Sequence, residues 1–332
     1  MKAINVRQKE GKPFLEWGDV EDVTYGADEV LLEIRASAVN RADLSQARGN
    51  YPPPAGVTEI LGLEASGVVS AVGSQVMDWQ PGDRVCCLLS GGGYAERVAV
   101  PAGMLMRLPD DWSFEQGAAI PEVWLTAFVN LFQEGNLQKD ETVLIHAGGS
   151  GVGTAAIQLA RVAGATPLIT AGTEEKLETG RGLGASLGVN YKDEDFSARV
   201  MAFTSGAGVD LILDPVGSDN FLRDIEILRE HGRLVIIGLL SGGQAQINLG
   251  HVLSKSLRII GSRLRTRPVT EKIAITTAFV ERFWPLFKAG ILKPVIDRVF
   301  TMPNANEAHN YVLQNRNIGK VILTGLVDLG QE

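Results

Sequence analysis

A cluster of small residues between an apolar run and a helical pattern is the strongest chemical signal in the sequence. In TVLIHAGGSGVGTAAIQLARVAG (142–164), Gly148, Ser150 and Gly153 occupy the three small positions of a G-x-G-x-x-G pattern, with serine at the second. Small residues let the backbone approach a pyrophosphate, and N–H groups at a helix start favour its negative charge. The stretch predicts a dinucleotide-phosphate loop, although a tight turn without ligand is an alternative. The loop residues are Gly148, Gly149, Ser150, Gly151, Val152 and Gly153.

The residues that follow the next strand bear on which dinucleotide is bound. TPLITAG runs into Gly172-Thr173-Glu174-Glu175-Lys176, with no acid at the strand tip, where sites for NAD usually place one. Thr173 can donate a hydrogen bond, and Lys176 supplies a positive charge to a phosphate. Glu174 and Glu175 argue against this interpretation unless they face away, and Lys176 could equally be a solvated surface lysine. The pattern favours NADPH.

The metal-binding residue types show no ligand spacing. Cys86 and Cys87 are adjacent on a predicted strand and therefore point to opposite faces, as two small buried residues would. Four histidines are scattered along the chain: His146, His231, His251 and His309. The sequence predicts no metal site.

The secondary structure predicted around these residues differs between the first third of the chain and the middle. The first third reads as short strands, broken by turns and by the stiff extended loop YPPPAG. From ETVLIHA to GRLVIIGLL, strand-like runs alternate with helical ones such as NFLRDIEILREHG, which predicts a parallel sheet of βαβ units. We place this middle domain at 122–264 and assign 1–121 and 265–332 together to a second domain.

Composition limits the possible partners. The chain has 332 residues, and its formal charge is 31 − 39 = −8, which disfavours binding to nucleic acid or anionic lipid. There is no apolar run long enough to span a membrane, no apolar signal core in MKAINVRQKEGKP, and there are only two cysteines. We expect a cytoplasmic protein without nucleic-acid or membrane partners.

Several motifs together resemble one family over nearly the whole chain. They are ASAVNRADLSQARGNYPPP, ILGLEASGVV, IPEVWLTAF, LIHAGGSGVGTAAIQLA, TAGTEEKLE, ILDPVG and NIGKVIL. The chain resembles the zeta-crystallin-like quinone oxidoreductases of the medium-chain dehydrogenase/reductase superfamily, especially the stress-inducible NADPH quinone oxidoreductases. This resemblance implies an α/β fold, in which a Rossmann doubly wound parallel sheet is inserted in a GroES-like, partly closed β-barrel domain. It also implies NADPH in the cleft between the domains, and a homodimer paired through SLRIIGSRL.

Departures from the zinc-dependent branch of this superfamily agree with the metal prediction. Zinc enzymes of the superfamily have cysteine where this chain has Asn40, and histidine where it has Leu63, and their four-cysteine lobe is absent here. Within the family's own pattern, Ser150 replaces a glycine of many relatives. Serine is small, and its hydroxyl could bond the pyrophosphate.

The resemblance also implies roles for individual residues. The candidate catalytic residues are Asn40, Asp43 and Tyr51; Thr126 would lie near the nicotinamide, and Asn317 lies on a segment that closes over the cofactor. Thr173, Lys176 and Tyr191 match the pocket for the 2′-phosphate. The segments that would pass the ribose and nicotinamide contain Val216, Gly217, Gly238, Leu239, Ser262, Arg263 and Leu264.

Each candidate catalytic residue has a structural alternative. Asn40 would fix the nicotinamide ribose or the substrate. Tyr51 could orient substrate or donate a proton, or merely pack on the proline loop. Asp43 could hold Tyr51 or a water, or it could pair with Arg41 or Arg48, or cap a short helix.

These features lead to three functional hypotheses. The first is an NADPH-dependent quinone reductase, because a quinone spreads the charge of the product anion over its ring and needs little electrophilic help. The second is a reductase of enones or enoyl thioesters. The third is a nucleotide-binding structural or regulatory protein without useful turnover.

Overall fold

The secondary structure comes from a computed structural model that describes residues 1–9 and 11–325. The strands, in chain order, are β1 (Lys2–Lys9), β2 (Lys12–Asp19), β3 (Glu29–Val39), β4 (Glu64–Val72), β5 (Arg84–Leu88), β6 (Arg97–Pro101), β7 (Leu105–Arg107), β8 (Thr142–Ile145), β9 (Thr166–Ala171), β10 (Leu187–Asn190), β11 (Val209–Asp214), β12 (Leu228–Ile236), β13 (Arg258–Gly261), β14 (Ile296–Thr301) and β15 (Lys320–Thr324).

The α-helices follow the same chain order. They are α1 (Arg41–Ala47), α2 (Phe114–Ala118), α3 (Pro121–Phe128), α4 (Gly151–Val162), α5 (Glu174–Leu183), α6 (Phe196–Phe203), α7 (Ser218–Ile227), α8 (Leu249–Ser254), α9 (Val269–Lys288) and α10 (Ala305–Leu313). A π-helical stretch follows α3 (Val129–Glu134), and 3₁₀ turns occur at Ala102–Met104 and Met302–Asn304.

The chain divides into two compact units. Unit 1 is Met1–Leu125 together with the chain from Leu264 onward, and unit 2 is the continuous segment Thr126–Arg263. The first division falls inside α3, a few residues after the predicted boundary at 121, because this helix continues through it. The second falls one residue before the predicted start of 265. Residues 326–332 of the predicted second domain lie outside the described chain.

Unit 2 is built on a parallel sheet. Its order is β10-β9-β8-β11-β12-β13, and every neighbouring pair is parallel. Leu144, Leu168, Ile212 and Leu234, on four neighbouring strands, have no exposed surface. Such apolar strands are typical of a parallel sheet that is covered on both faces. The strand order reverses between β8 and β11, which confirms the predicted doubly wound sheet and identifies its switch point.

Unit 1 contains a mixed sheet whose central strand comes early in the chain. The long β3 pairs antiparallel with β4, β6 and β15. β15 pairs on its other side with β14, in parallel. Small side chains let α2 pack closely here, because Ala36 and Ala38 of β3 and Ala118 of α2 are fully buried in one cluster. The last described strand is therefore part of the same core as the first third of the chain.

One predicted helix is shorter than expected. The pattern NFLRDIEILREHG predicts a helix through residue 232, but α7 ends at Ile227 and β12 begins at Leu228. His231 has a φ of 61°, outside the right-handed helical region, and the pairing register with β11 shifts between Val209 and Leu211. The charged LREH segment is thus an irregular entry to a strand, which helical periodicity does not reveal.

Within the described residues, no helix combines the length and apolar character needed to cross a lipid bilayer.

Candidate active site

The glycine-rich loop connects the end of β8 to the start of α4. Ser150 is the N-cap of α4, and its Oγ accepts a hydrogen bond from the Gly153 N–H at 3.0 Å. A Cβ on Gly153 would lie 2.5 Å from the carbonyl oxygen of Ala147 and 2.6 Å from that of Gly148. Backbone packs where that side chain would be, so glycine at 153 is required for the close approach of helix and loop.

The same loop presents backbone donors. Within the described residues of unit 2, no protein group accepts a hydrogen bond from the N–H groups of Gly149, Gly151 or Val152. The positive end of the α4 dipole adds to these donors, so the loop fits a pyrophosphate. The Ser150 hydroxyl retains its own proton for donation, because capping uses only an oxygen lone pair.

A second group of residues lies at the neighbouring strand ends. A Cβ on Gly172, just after β9, would lie 2.7 Å from the hydroxyl oxygen of Tyr191 and 3.0 Å from Cε of Lys192. A Cβ on Gly149 would lie 2.8 Å from Cγ of Lys176, so this lysine packs against the phosphate loop. Tyr191 and Lys192 therefore lie at the tip of β9, and Lys176 lies against the adjoining loop. Sequence reasoning missed Lys192, although its place directly after β10 was available as a signal.

One of the two acids that follow Gly172 and Thr173, Glu174 and Glu175, has a positively charged partner. Thr173 is the N-cap of α5, and its Oγ1 accepts from the Lys176 N–H at 3.4 Å. Glu174 forms an ion pair with Arg181 on the same helix. One of the two acids that argue against a phosphate is thus neutralised by a cation of its own helix.

The other side of the switch point is held by a buried aspartate. Both carboxylate oxygens of Asp214, at the end of β11, accept backbone N–H bonds, from Val216 at 2.6 Å and from Gly217 at 2.9 Å. A Cβ on Gly217, whose φ is 91°, would lie 2.7 Å from the Gly242 carbonyl oxygen. Val216 and Gly217 are therefore fixed at the carboxyl end of the sheet.

Most of the remaining predicted cofactor residues of unit 2 share this edge. Gly238 and the exposed Leu239 follow β12, and Ser262 and Arg263 follow β13. Thr126 lies instead on α3, where its carbonyl accepts from Asn130 Nδ2 at 2.7 Å. Ligands of doubly wound sheets bind at the carboxyl ends of the strands, and the predicted residues gather there.

Two predicted cofactor residues belong to unit 1. Leu264 is buried, and the Nδ2 of Asn317 donates to the Gly319 carbonyl at 2.8 Å, within its own loop.

A buried histidine cluster lies directly before the phosphate loop. His146 Nε2 is 2.8 Å from Asp224 Oδ1, and its Nδ1 is 2.9 Å from Thr170 Oγ1. Burial opposes protonation of His146, but Asp224 and Asp214 raise its pKa above the usual value. His146, Asp214 and Asp224 form the one group of potential metal ligands found within the described residues. Sequence spacing missed it, because three separate elements contribute. Its geometry is that of a buried ion pair, and the prediction of no metal stays a prediction.

In unit 1, Asn40 is fixed from both ends of its amide. Its Oδ1 accepts from Lys320 Nζ at 2.7 Å, and its Nδ2 donates to Glu64 Oε1 at 2.8 Å. Glu64 and Lys320 form a buried ion pair of 2.7 Å, and the other Glu64 oxygen accepts from the N–H of Glu122. Sequence reasoning named Asn40 but missed the two charged residues that hold it.

Asp43 is fully buried and has structural partners. Its carboxylate accepts from the Asn40 N–H at 2.8 Å and from the Gly62 N–H at 3.0 Å. The hydroxyl of Tyr94 donates to it at 3.3 Å. Burial raises the pKa of Asp43 to about 6, against the lowering effect of the two backbone N–H bonds. The helix-capping alternative agrees with these contacts, and the phenol that bonds to Asp43 is that of Tyr94 and not that of the predicted Tyr51.

Tyr51 lies beside a buried arginine. The guanidinium carbon of Arg265 is 5.2 Å from the centre of the Tyr51 ring. Glu122, at the start of α3, has a buried Oε2 for which the described residues offer no hydrogen-bond partner. Burial, followed by the charge of Glu64, raises its pKa to about 8. Unit 1 therefore carries an amide, a phenol, a cation and a carboxyl group that retains its proton near neutral pH.

Comparisons with known proteins agree with this architecture. A model described as alcohol dehydrogenase GroES-like domain matches residues 26–110, and one described as zinc-binding dehydrogenase matches residues 151–280. The first match confirms the GroES-like part of the predicted fold class.

Individual relatives align over almost the full chain. A quinone oxidoreductase of Pseudomonas aeruginosa is 32% identical, covering 97% of this chain and 99% of its own. A 2-haloacrylate reductase of Burkholderia is 31% identical, covering 97% and 98%. The crystal structure of Escherichia coli quinone oxidoreductase complexed with NADPH superposes with a TM-score of 0.86 at 29% identity, covering 98% and 100%.

Proposed function

Because the chain belongs to the quinone oxidoreductase-like proteins of the medium-chain dehydrogenase/reductase superfamily, we propose that this oxidoreductase is a zinc-independent NADPH:quinone oxidoreductase. Its placement among the stress-inducible members stays a prediction. The observation that carries the proposal is the pair of features at the carboxyl end of the unit 2 sheet. These are a loop whose backbone N–H groups find no acceptor among the described residues of unit 2, and a cationic group near the tip of the next strand.

The preference for NADPH over NADH rests on the second feature. Lys192 and the Tyr191 hydroxyl lie against Gly172, and Lys176 packs on Gly149 of the adjoining loop, so an adenosine 2′-phosphate at the tip of β9 would meet these groups. Glu174, which would otherwise oppose a phosphate, is paired with Arg181. NADH carries a 2′-hydroxyl in place of this phosphate, so it would make no charge–phosphate contact with Lys176 or Lys192.

Zinc independence is supported by the residues around Asn40. Its Oδ1 faces the Lys320 ammonium at 2.7 Å, and Leu63, at the position where zinc enzymes of the superfamily have histidine, is a buried apolar residue. The Asn40 oxygen is bonded to this ammonium, and both oxygens of Glu64 are bonded within the protein, so these side chains do not offer a free ligand set for a divalent cation.

The chemistry divides between cofactor and protein. When bound, reduced nicotinamide supplies a hydride, and quinones accept it readily because the product charge spreads over the ring. The protein orients the reactants, an effect worth roughly 7–11 kcal/mol in favourable geometry. Asn40 has a preset amide for this task, and we assign Tyr51 to contact with the acceptor.

The test follows NADPH oxidation with 1,2- and 1,4-naphthoquinone in the presence of a chelator. We expect turnover, with NADPH preferred to NADH. Lys176→Ala should reduce the preference for NADPH at least tenfold, because a charge–phosphate contact is lost. Lys139→Ala is the matched control: Lys139 also packs against a glycine, Gly164, but at the opposite end of the sheet. Cofactor binding without turnover of any quinone would reject the proposal.

A second candidate is reduction of a conjugated double bond, as in enones or enoyl compounds. It is favoured by the 31% identity to a 2-haloacrylate reductase, whose named substrate is a conjugated carboxylate. Turnover of alkenals or enoyl thioesters far above that of quinones selects this candidate. Thermal stabilisation by NADPH without turnover of any acceptor selects a nucleotide-binding structural or regulatory role.

The homodimer and the cytoplasmic location expected from the sequence belong to the same proposal. The homodimer is supported by the position of β13 at an edge of the unit 2 sheet, where backbone groups can pair with a second copy.

A further inference from the structure

Two buried cations of unit 1 are bonded only to neutral groups. Arg265 Nε donates to the Ser90 carbonyl at 2.8 Å, and its Nη2 donates to Gln46 Oε1 at 2.7 Å. Lys272, on α9, donates to Ser90 Oγ at 2.6 Å and to the Arg265 carbonyl at 3.3 Å. Arg265 is 3% exposed and Lys272 is 4% exposed, so both cations are largely removed from bulk solvent.

The Arg265 guanidinium also has an unused donor. Its Nη1 is buried, and no acceptor for it occurs among residues 1–9 and 11–325. Burial lowers the pKa of both cationic groups; for Lys272, Glu122 acts against this effect and the charge of Arg265 adds to it. Buried charges are normally paired with an opposite charge because desolvation is costly. A fixed pair of like charges with a free donor has the character of an anion-binding site.

The nearby acids do not neutralise this pair. Glu122 and Asp43 act on Arg265 electrostatically, but neither forms an ion pair with it or with Lys272 within the described chain. Asp43 is engaged by Asn40, Gly62 and Tyr94. Glu122, with a pKa raised to about 8 mainly by burial, is largely uncharged at neutral pH.

Arg265 of this pair lies beside Tyr51, the residue that we assign to contact with the acceptor. The Arg265 guanidinium carbon lies 5.2 Å from the centre of the Tyr51 ring, so a molecule that lies against Tyr51 also lies beside the guanidinium. A carboxylate matches the fork of guanidinium donors better than a neutral carbonyl does, because charge-assisted bonds are about twice as strong.

We propose that Arg265 and Lys272 bind a carboxylate of the acceptor, so that the preferred acceptors are anionic: quinones or conjugated alkenes that carry a carboxylate group. This inference rests on the proposed reductase function and names its substrate class.

The turnover test compares 1,4-naphthoquinone-2-carboxylate with its methyl ester. The ester is the more electrophilic compound, so the diagnostic quantity is the ratio of kcat/KM for acid to ester. Arg265→Met should lower this ratio at least tenfold. Arg84→Met is the matched control, because Arg84 also donates to carbonyls, at Asp110 and Trp112, and stacks on the Phe114 ring 4.8 Å away. It should leave the ratio unchanged.

A binding test does not depend on turnover. Calorimetry with the full chain compares 2-naphthoate with 2-naphthamide, neither of which serves as a quinone acceptor. The wild type should bind naphthoate at least tenfold more tightly than the amide, and Arg265→Met should remove this difference. If Arg265→Met fails to fold in a thermal melt, Arg265→Lys and Lys272→Met are measured in its place, and each should reduce the difference.

The outcomes separate the two proposals. Equal affinity for naphthoate and naphthamide, or a difference that survives the substitutions at both cations, overturns the anion site even if quinones are reduced. Arg265-dependent naphthoate binding without turnover of any acceptor supports the anion site and rejects the reductase.

Discussion

Glu122 is surrounded by charges of both signs. Burial and the charges of Glu64 and Asp43 raise its pKa, whereas Lys320 and Arg265 lower it, and the net result is a pKa of about 8. Lys272 also interacts with it electrostatically. In the unfolded chain the same group titrates near its usual value of 4.5. The folded protein therefore binds a proton at Glu122 that the unfolded chain releases.

The pH dependence of stability follows from this difference. Between about pH 4.5 and 8 the folded state binds more protons than the unfolded state, so the contribution of Glu122 to the free energy of unfolding falls as pH rises. Glu122→Gln removes this slope. From pH 5 to pH 9, its stability should rise relative to the wild type by about 2–4 kcal/mol. Urea unfolding at pH 5, 7 and 9 measures the change.

Glu307→Gln is the control for that comparison. Glu307 also lies in the first turn of a helix, α10, but it is exposed. Its difference from the wild type should stay constant across the three pH values. An equally constant difference for Glu122→Gln would contradict the raised pKa.

The side chains that hold Asn40 show where sequence reasoning stopped. Asn40 and Asp43 stand in one short motif and were identifiable, including the capping alternative for Asp43. The ion pair of Glu64 with Lys320 brings together residues from β4 and from the last described strand. Neither residue type nor local spacing carries information about a contact between such distant segments. The same reason applies to Arg265 and Lys272, whose burial follows from tertiary packing alone.

At the scale of elements, the junction of β8 with α4 gives a sharp test. In Gly153→Ala the new Cβ would lie 2.5 Å from the Ala147 carbonyl oxygen, so the loop must shift. We expect a loss of about 1–3 kcal/mol of stability from this overpacking, and NADPH affinity at least tenfold lower because the N–H groups move. Thermal melts and calorimetric titration with NADPH measure the two effects.

Gly182→Ala provides the comparison for that substitution. Gly182 lies within α5, and a Cβ there would meet no atom within 4 Å. This variant should gain about 0.5–1 kcal/mol from helix propensity and bind NADPH normally. Unchanged NADPH binding in Gly153→Ala would show that the loop does not hold the cofactor.

The elements were predictable where local chemistry dominates. Apolar strands ending in glycine signals, followed by amphipathic helices, were sufficient to identify β8, α4, β9 and the doubly wound sheet. The end of α7 was not predictable, because LREH has ordinary helical residue types. Its entry into β12 depends on pairing with β11, a tertiary interaction that overrides local preference.

At the scale of the whole molecule, the exposed edge strand β13 gives a test of the proposed dimer. β13 closes one side of the unit 2 sheet, and Ile259 on it is 39% exposed. If two copies pair through this strand, Ile259→Lys places a charge at the interface. The variant should dissociate at least a hundredfold more readily, as measured by sedimentation equilibrium.

A lysine at a different sheet edge controls for the added charge. Val299 lies on β14, at an edge of the unit 1 sheet, and is 47% exposed. Val299→Lys should assemble as the wild type does. A wild-type protein that is monomeric, or an Ile259→Lys variant that remains associated, rules out this dimer.

The pairing of β3 with β15 has a consequence for biosynthesis. Residues 36–39 of β3 are synthesised well before their partners at 321–324. The segment 126–263 is contiguous and can complete its sheet during translation, since domains generally fold as units while synthesis proceeds. The nascent chain therefore carries this flank of β3 uncovered until residues 321–324 have been made. During that interval we expect the chain to be exposed to aggregation and to need chaperones.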